Sequence, residues 1–339
     1  MRFDDTILVS IVIPVYNTSE HYLQQCFASF SRAYDPRIEI IVVDDGSRQK
    51  TANLLDRLAQ ESVNAIHVIH KENGGQSSAR NAGVQASRGT YVEFVDSDDY
   101  VDWERQQRIL DIFSDYRPDI LRIGVVKNSE NGFVLEQPEK NDGSFHEIDK
   151  REFLINCSAM WEQLIRRSLF ETSGISQCEG IHLGEDFASI TSLGLAAETI
   201  GEAHCNLYHF INHDSSITHQ PHPEMLLDIL TAMDFIRAQA ERLNMYERFH
   251  NEIEYQAITQ IIHWGVMRVL DWEGARSASI PLLFDYINKA FPNWKNNPYY
   301  VSRDKSVLHY RLIIGGHYRL YLFLRQIRAL MWRIRSIQS

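Results

Sequence analysis

The first hundred residues repeat one pattern four times, and that pattern restricts the chain more than any other feature. A short β-branched run is followed by a polar cluster and then by a segment of helical period. Val9 to Ile13 ends at Pro14 and Asn17 and leads to a helix from about Tyr22 to Phe30. Ile38 to Val43 stops at Asp44-Asp45-Gly46-Ser47, before a helix from Thr51 to about Gln60. Ala65 to Ile69 precedes a Gly-rich loop, His70 to Gln76, and a helix from Ser77 to Ser87 that Gly89 closes. Thr90 to Val95 runs into Asp96-Ser97-Asp98-Asp99. Alternating strands and helices of this length are βαβ units around a parallel sheet. Each strand delivers its polar cluster at its C-terminal end, the edge where open α/β sheets bind ligands.

The middle, about Ile120 to Thr218, mixes short strands with predicted helices at Lys150 to Asn156, Trp161 to Phe170 and Glu185 to Ala197. From Pro223 onward the pattern is helical, with segments at Glu224 to Leu243, Glu247 to Leu270 and Pro281 to Ala290. A chain of 339 residues with 44% hydrophobic content can bury one large α/β domain and a helical addition. The boundary falls near residue 220, giving regions 1–220 and 221–339. A net charge of −11 argues against general affinity for nucleic acid. Cys26, Cys157, Cys178 and Cys205 show no paired spacing, and the N-terminus shows no apolar signal run. Both point to a reducing, cytoplasmic setting.

Three carboxylates in the tight turn Asp96-Ser97-Asp98-Asp99 repel one another unless a cation is present. Mg²⁺ or Mn²⁺ suits such oxygen donors and commonly shares its shell with substrate phosphates. The turn is equally readable as a solvated cap of the helix beginning near Trp103, and Asp99 in particular as a cap alone. Asp44-Asp45-Gly46-Ser47 is on its own an ordinary turn, although a carboxylate there could accept the imide N–H of a uracil. The loop ending in Gly75 precedes a helix N-terminus that favours an anion, with Arg80 and Asn81 facing the ligand or solvent. Gly184-Glu185-Asp186-Phe187 puts two carboxylates at a helix start, where complementing the helix dipole is the plainer role.

Taken in order, Ser10-Ile11-Val12-Ile13-Pro14-Val15-Tyr16-Asn17, Ile41 to Ser47, Ala79-Arg80-Asn81-Ala82-Gly83 and Phe94 to Asp99 resemble the family 2 inverting glycosyltransferases of the GT-A fold. The likeness continues through Trp161, Arg166 to Phe170, Gly184-Glu185-Asp186 and Tyr208 to Ser216-Ile217-Thr218. These later stretches are similar to bacterial enzymes that build capsular polysaccharide or exopolysaccharide. The resemblance implies a GT-A domain over 1–220, with the nucleotide-sugar half at about 1–100 and the acceptor and base half at about 101–220. A helical C-terminal region would follow. It implies a metal-dependent inverting transfer of a sugar from a nucleotide-diphosphate donor, UDP foremost, to a hydroxyl of a glycan or lipid-linked glycan. Pro14, Tyr16, Asn17, Asp45, Gly75, Arg80, Asp96 and Ser97 would bind the donor, with Asp45 at the base. Asp98, Asp96 and Asp99 would hold Mg²⁺ or Mn²⁺, with Asp98 the principal ligand, and Asp186 would be the catalytic base beside Glu185. Arg48-Gln49 departs from the commoner Thr-Asp, and His209 and His213 stand where Tyr and Arg often occur. His209 and His213 read either as polar loop residues or as groups approaching the metal.

Two other activities fit parts of this pattern. A sugar-phosphate nucleotidyltransferase would need a basic, Gly-rich N-terminal signature, and Pro14-Val15-Tyr16-Asn17 is not one. A non-catalytic sugar-nucleotide-binding or scaffold protein would not need Asp98 and Asp186. The segment 303–339 carries eight basic residues against Asp304 alone, interleaved with apolar ones. That density excludes a spanning helix and suits either a helix lying in an anionic membrane interface or one packed on protein, including a second subunit.

Overall fold

The computed structural model describes residues 7–30, 33–157, 159–213, 222 and 225–327. It divides into two compact units, 1–220 and 221–339. The first is an α/β unit with a mainly parallel central sheet of the GT-A kind. In chain order it runs β1 (Val9–Val15), α1 (Glu20–Phe30), β2 (Ile38–Asp45), α2 (Gln49–Glu61), β3 (Ile66–Lys71), α3 (Gln76–Ala86), β4 (Tyr91–Phe94) and β5 (Tyr100–Val101). Then come α4 (Trp103–Asp115), β6 (Ile120–Ser129), β7 (Val134–Glu136), β8 (Phe145–Glu147), α5 (Lys150–Asn156), β9 (Gln163–Arg166), α6 (Arg167–Ser173), α7 (Glu185–Ala196) and β10 (Ile200–Asn212).

The sheet order is β3-β2-β1-β4-β9-β6-β10-β5, with β7 and β8 attached to β6 and β10. The first four strands of the order are parallel, and β1 and β2 are buried along their whole length. This is why both read as near-continuous apolar runs rather than alternating ones. Helix α3 lies against β1 because Gly83 lets it: a Cβ there would sit 2.2 Å from Val12 Cγ1.

One predicted element is corrected. Trp161 to Phe170 is not a helix. A single 3₁₀ turn at Met160–Glu162 leads into β9, an inner strand antiparallel to both β4 and β6, and α6 begins only at Arg167. Trp161, Leu164, Ile165 and Leu169 match a helical spacing by coincidence. Leu164 and Ile165 are both fully buried, and a short apolar run covered on both faces carries no period to separate strand from helix.

The second unit is helical: α8 (Asp228–Arg242), α9 (Tyr246–Ala257), a π-helical stretch Ile258–Gly265, α10 (Val266–Trp272), α11 (Ser279–Ala290) and α12 (Leu308–Ile314). Buried Ile253, Ile258, Ile261, Ile262, Val266 and Val269 form one side of the long central rod. Residues 318–327 are helical as well, with Tyr321 buried and Arg325 paired to Asp271. On the same segment Leu320, Phe323 and Ile327, at i, i+3 and i+7, are exposed. Residues 328–339, and with them Arg328, Arg333 and Arg335, lie outside the described residues. No described helix is long and apolar enough to cross a membrane.

Candidate active site

The ends of β1, β2, β3 and β4 meet at the edge that the sequence pattern marks. Asp44 and Asp45 are the last residues of β2 and are almost fully buried. Asp44 accepts the backbone N–H of Ser47 (2.9 Å) and faces His70 Nδ1 at 2.7 Å. These contacts, with the burial of Asp44, make it a brace for the turn. Asp45 stands in register with Lys71 across the parallel pair β2–β3 and accepts from its Nζ at 2.6 Å. The same carboxylate takes the N–H groups of Gly74 (3.0 Å) and Gly75 (2.7 Å). Gly75 is at φ +88, a backbone region that an L side chain resists, and this turn aims both N–H groups at Asp45. Asp45 therefore organises the Gly-rich loop.

Beyond Pro14, within β1, Tyr16 is exposed and Asn17 is left-handed at φ +53. Asn17 is clasped to the turn after β2: its N–H donates to Ser47 Oγ, and its Oδ1 accepts from Arg48 N–H, both at 2.9 Å. Ser97 is buried and hydrogen-bonded to Thr18 (2.6 Å), which ties the acidic turn to the loop after β1.

The three carboxylates of the acidic turn have separate environments. Asp99 is 1% exposed, its oxygens accepting from Tyr208 Oη (2.6 Å) and Ile211 N–H (2.7 Å). Burial holds its carboxyl well above the ordinary range, with the charges of Asp98 and Asp96 adding to the rise. Asp99 is therefore removed from the metal set: it faces inward and anchors β10. Asp98 is partly open, with Oδ2 2.9 Å from His213 Nε2. Asp96 accepts from Gln76 (2.9 Å) and Arg80 (2.9 Å), both through Oδ1. Asp96 is pushed up to about 6 by burial, which Arg80 opposes and the charges of Asp186 and Asp98 reinforce.

Arg80, from α3, is completely buried. One terminal nitrogen donates to Asp96 and the other to Asp186 Oδ1, while the guanidinium lies over the Phe94 ring at 5.8 Å. An arginine fork suits two carboxylates at once. The sequence reading puts Arg80 at the donor; its side chain instead links two acidic elements. Glu185 and Asp186 open α7 after Gly184, whose left-handed φ of +90 turns the chain into the helix. Among the described residues Asp186 Oδ2 has one weak contact, the Met160 N–H at 3.5 Å. Glu185 is pushed up to about 8, first by burial and then by the adjacent Asp186 charge.

Sequence reasoning gives His209 and His213 equal standing, but only one reaches the site. His209 lies within β10, stacked on Tyr100 at 4.5 Å and hydrogen-bonded to Asn128 at 3.2 Å, so it is a strand residue and not a loop one. His213 stacks on Tyr22 at 4.7 Å and meets Asp98. His209 is held inside β10 by its pairing with β5 and β6, whereas His213 lies just past the strand's end at Asn212, and no local signal in this polar stretch discloses where β10 stops. Ser216-Ile217-Thr218 lie outside the described residues. Lys71 is a further residue that sequence reading leaves without a role, and only the β2–β3 register shows its partner.

A divalent ion fits the residues present. Asp98 Oδ1 and Asp96 Oδ2 have no hydrogen-bond donor among the described residues, which leaves two carboxylate oxygens of one turn free to take an oxygen-seeking cation.

Residues 10–174 match the Glycosyl transferase family 2. The chain is 34% identical over 226 residues to EpsJ, an uncharacterized glycosyltransferase of Bacillus subtilis (strain 168), covering 63% of this chain and 64% of that protein. It therefore aligns to slightly less than two thirds of that relative's length. It is 25% identical over 283 residues to EpsH, a putative glycosyltransferase of the same organism, with 80% of each covered. Its fold matches S. aureus TarS 1-349 in complex with UDP at a TM-score of 0.68 and 17% identity, over 93% of this chain and 89% of that one. Over residues 10–174 the chain is thus similar to the glycosyl transferase family 2.

Proposed function

We propose, from the similarity of residues 10–174 to the glycosyl transferase family 2, that this protein transfers a sugar from a nucleotide diphosphate to an acceptor hydroxyl with inversion, in the synthesis of a surface polysaccharide. The observation that carries the proposal is the double pairing of Arg80. The acidic-turn carboxylate of Asp96 and the helix-start carboxylate of Asp186 meet on one guanidinium, which supports a site shared by donor and base.

Asp98 and Asp96 would hold Mg²⁺ or Mn²⁺, with His213 steadying Asp98. The ion, when bound, supplies counter-charge for the leaving diphosphate. Arg80 keeps Asp186 oriented through Oδ1 and leaves Oδ2 to take the acceptor proton. Glu185, holding its own proton near neutral pH, adds no competing charge. One proton acceptor facing one displacement is the arrangement of an inverting transfer. Asp45, with the loop it organises, would meet the nucleotide base through the remaining capacity of Oδ2, while Pro14, Tyr16, Asn17 and Ser97 shape the surrounding turns. A UDP donor is supported by the TarS complex with UDP.

The stripe Leu320, Phe323 and Ile327 supports peripheral contact with an anionic membrane, where a lipid-linked acceptor would reside. The direct test of the activity is to incubate the full chain with a panel of nucleotide sugars and measure nucleotide release with and without Mn²⁺. Metal-dependent release from at least one UDP-sugar is expected. No release from any sugar nucleotide by the folded protein would overturn the assignment.

A further inference from the structure

A second group of metal-type ligands lies away from the acidic turn, on the part of the sheet formed by β8 and β10. The antiparallel register sets His146 directly opposite Glu202. His204, two residues beyond Glu202 in β10, shares its face by the period of the strand. One ligand atom from each of the three lies within 4.8 Å of the others, and the two imidazoles are stacked with centroids 5.1 Å apart. We propose that His146, His204 and Glu202 form a binding site for a borderline transition metal of the Zn²⁺ class, separate from the Mg²⁺ or Mn²⁺ of the transfer reaction.

Hydrogen bonds around His204 prepare it as a ligand. Ser144 Oγ donates to Asp142 at 2.5 Å, so that oxygen can only accept from His204 Nδ1, which is 2.9 Å away. The proton is thereby held on Nδ1, and Nε2 carries the free lone pair. A carboxylate-linked relay behind a histidine is how metal sites fix the tautomer and orientation of a ligand. The backbone supports it, since His204 N–H donates to Ser144 O (2.8 Å) and His204 O accepts from Gly143 N–H (2.9 Å).

The surroundings select the ion. Arg122 donates to Glu202 at 3.1 Å and offsets its charge, so the site offers little net negative field. Hard cations that depend on several carboxylates gain little there, whereas imidazole nitrogens bind Zn²⁺ without that field. Glu202 and His204 also line an open cleft of about 330 Å³, which leaves room for water on the remaining coordination positions. A bound ion would clamp the three-residue strand β8 onto β10.

Equilibrium dialysis of the full chain against micromolar Zn²⁺, with millimolar Mg²⁺ present to occupy the acidic turn, tests the site. About one Zn²⁺ per chain is expected in the wild type and in Asp98→Ala. Loss of that ion is expected in His146→Ala/His204→Ala, together with loss of any rise in melting temperature on adding Zn²⁺. His146 is about half exposed (48%), so the single variant His146→Ala keeps the strand intact and should weaken binding at least tenfold if the double variant fails to fold. Wild-type protein that takes up no Zn²⁺, or folded histidine variants that retain it, would overturn the proposal.

Discussion

Arg80 and Asp186 are separated by 106 residues of chain and form a direct ion pair, with the arginine wholly buried and its second terminal nitrogen on Asp96. A buried cation holding two carboxylates cannot be removed quietly, because both acids would lose their partner in a desolvated setting. Arg80→Met is expected to cost about 3 kcal/mol or more of stability, read from urea unfolding. Arg80→Lys keeps the charge but not the fork, and should retain more of the fold while losing at least about tenfold in kcat. Wild-type turnover in Arg80→Met would remove the bridge from the mechanism.

Asp186→Asn preserves size and the capacity to accept from Arg80 but cannot take the acceptor proton. Transfer should fall about 10²–10⁴-fold with donor affinity unchanged, measured by glycan product formation and nucleotide binding. Glu185→Gln should be much milder, since burial already keeps Glu185 protonated near neutral pH. A larger loss in Glu185→Gln than in Asp186→Asn would reverse the two roles.

Asp98→Ala should abolish metal-dependent nucleotide release. His213→Ala, which removes the imidazole 2.9 Å from Asp98, should raise the Mn²⁺ concentration needed for half-maximal rate by about tenfold. An unchanged Mn²⁺ titration in His213→Ala would take the histidine out of the metal site.

Glu93 is fully buried in β4, with Oε2 accepting from Gln106 at 2.9 Å and Oε1 unpartnered, and burial pushes it up to about 7. The folded protein therefore binds this proton more tightly than the unfolded chain. Its contribution is fully present below the ordinary value near 4.5 and is lost as pH rises through about 7. Glu93→Gln, which is neutral throughout, should match the wild type at pH 5 and exceed it by on the order of 2 kcal/mol at pH 8.5. Parallel melting curves across that range would show no such divergence if Glu93 stayed ionised.

If the exposed stripe meets lipid, replacing Leu320, Phe323 and Ile327 by serine should abolish sedimentation with anionic liposomes at low salt. Donor hydrolysis should be unaffected, because Tyr321 and the Arg325–Asp271 pair remain. Wild-type protein that stays in the supernatant would leave the stripe to a protein contact.

The sequence by itself determined the α/β class, the strands β1 to β4 to within about two residues, and the edge at which their polar ends collect. Those features follow from local period and from punctuation by Pro, Gly and Asp, which adjacent residues express without tertiary help. It also singled out Asp45, Asp96, Asp98 and Asp186 as candidates, through motifs whose order resembles that of the family 2 glycosyltransferases. The tertiary structure alone decided the surroundings of each carboxylate. Asp96, Asp98 and Asp99 are indistinguishable as letters, yet Tyr208 and Ile211, more than a hundred residues later, turn Asp99 into an anchor. Arg80 is one polar residue on a helix until the fold brings Asp96 and Asp186 to its two ends. The strand β9 and the choice of His213 over His209 depended on pairing across the sheet. Hydrogen-bond register and burial are relations between distant segments, so no window of neighbouring residues contains them.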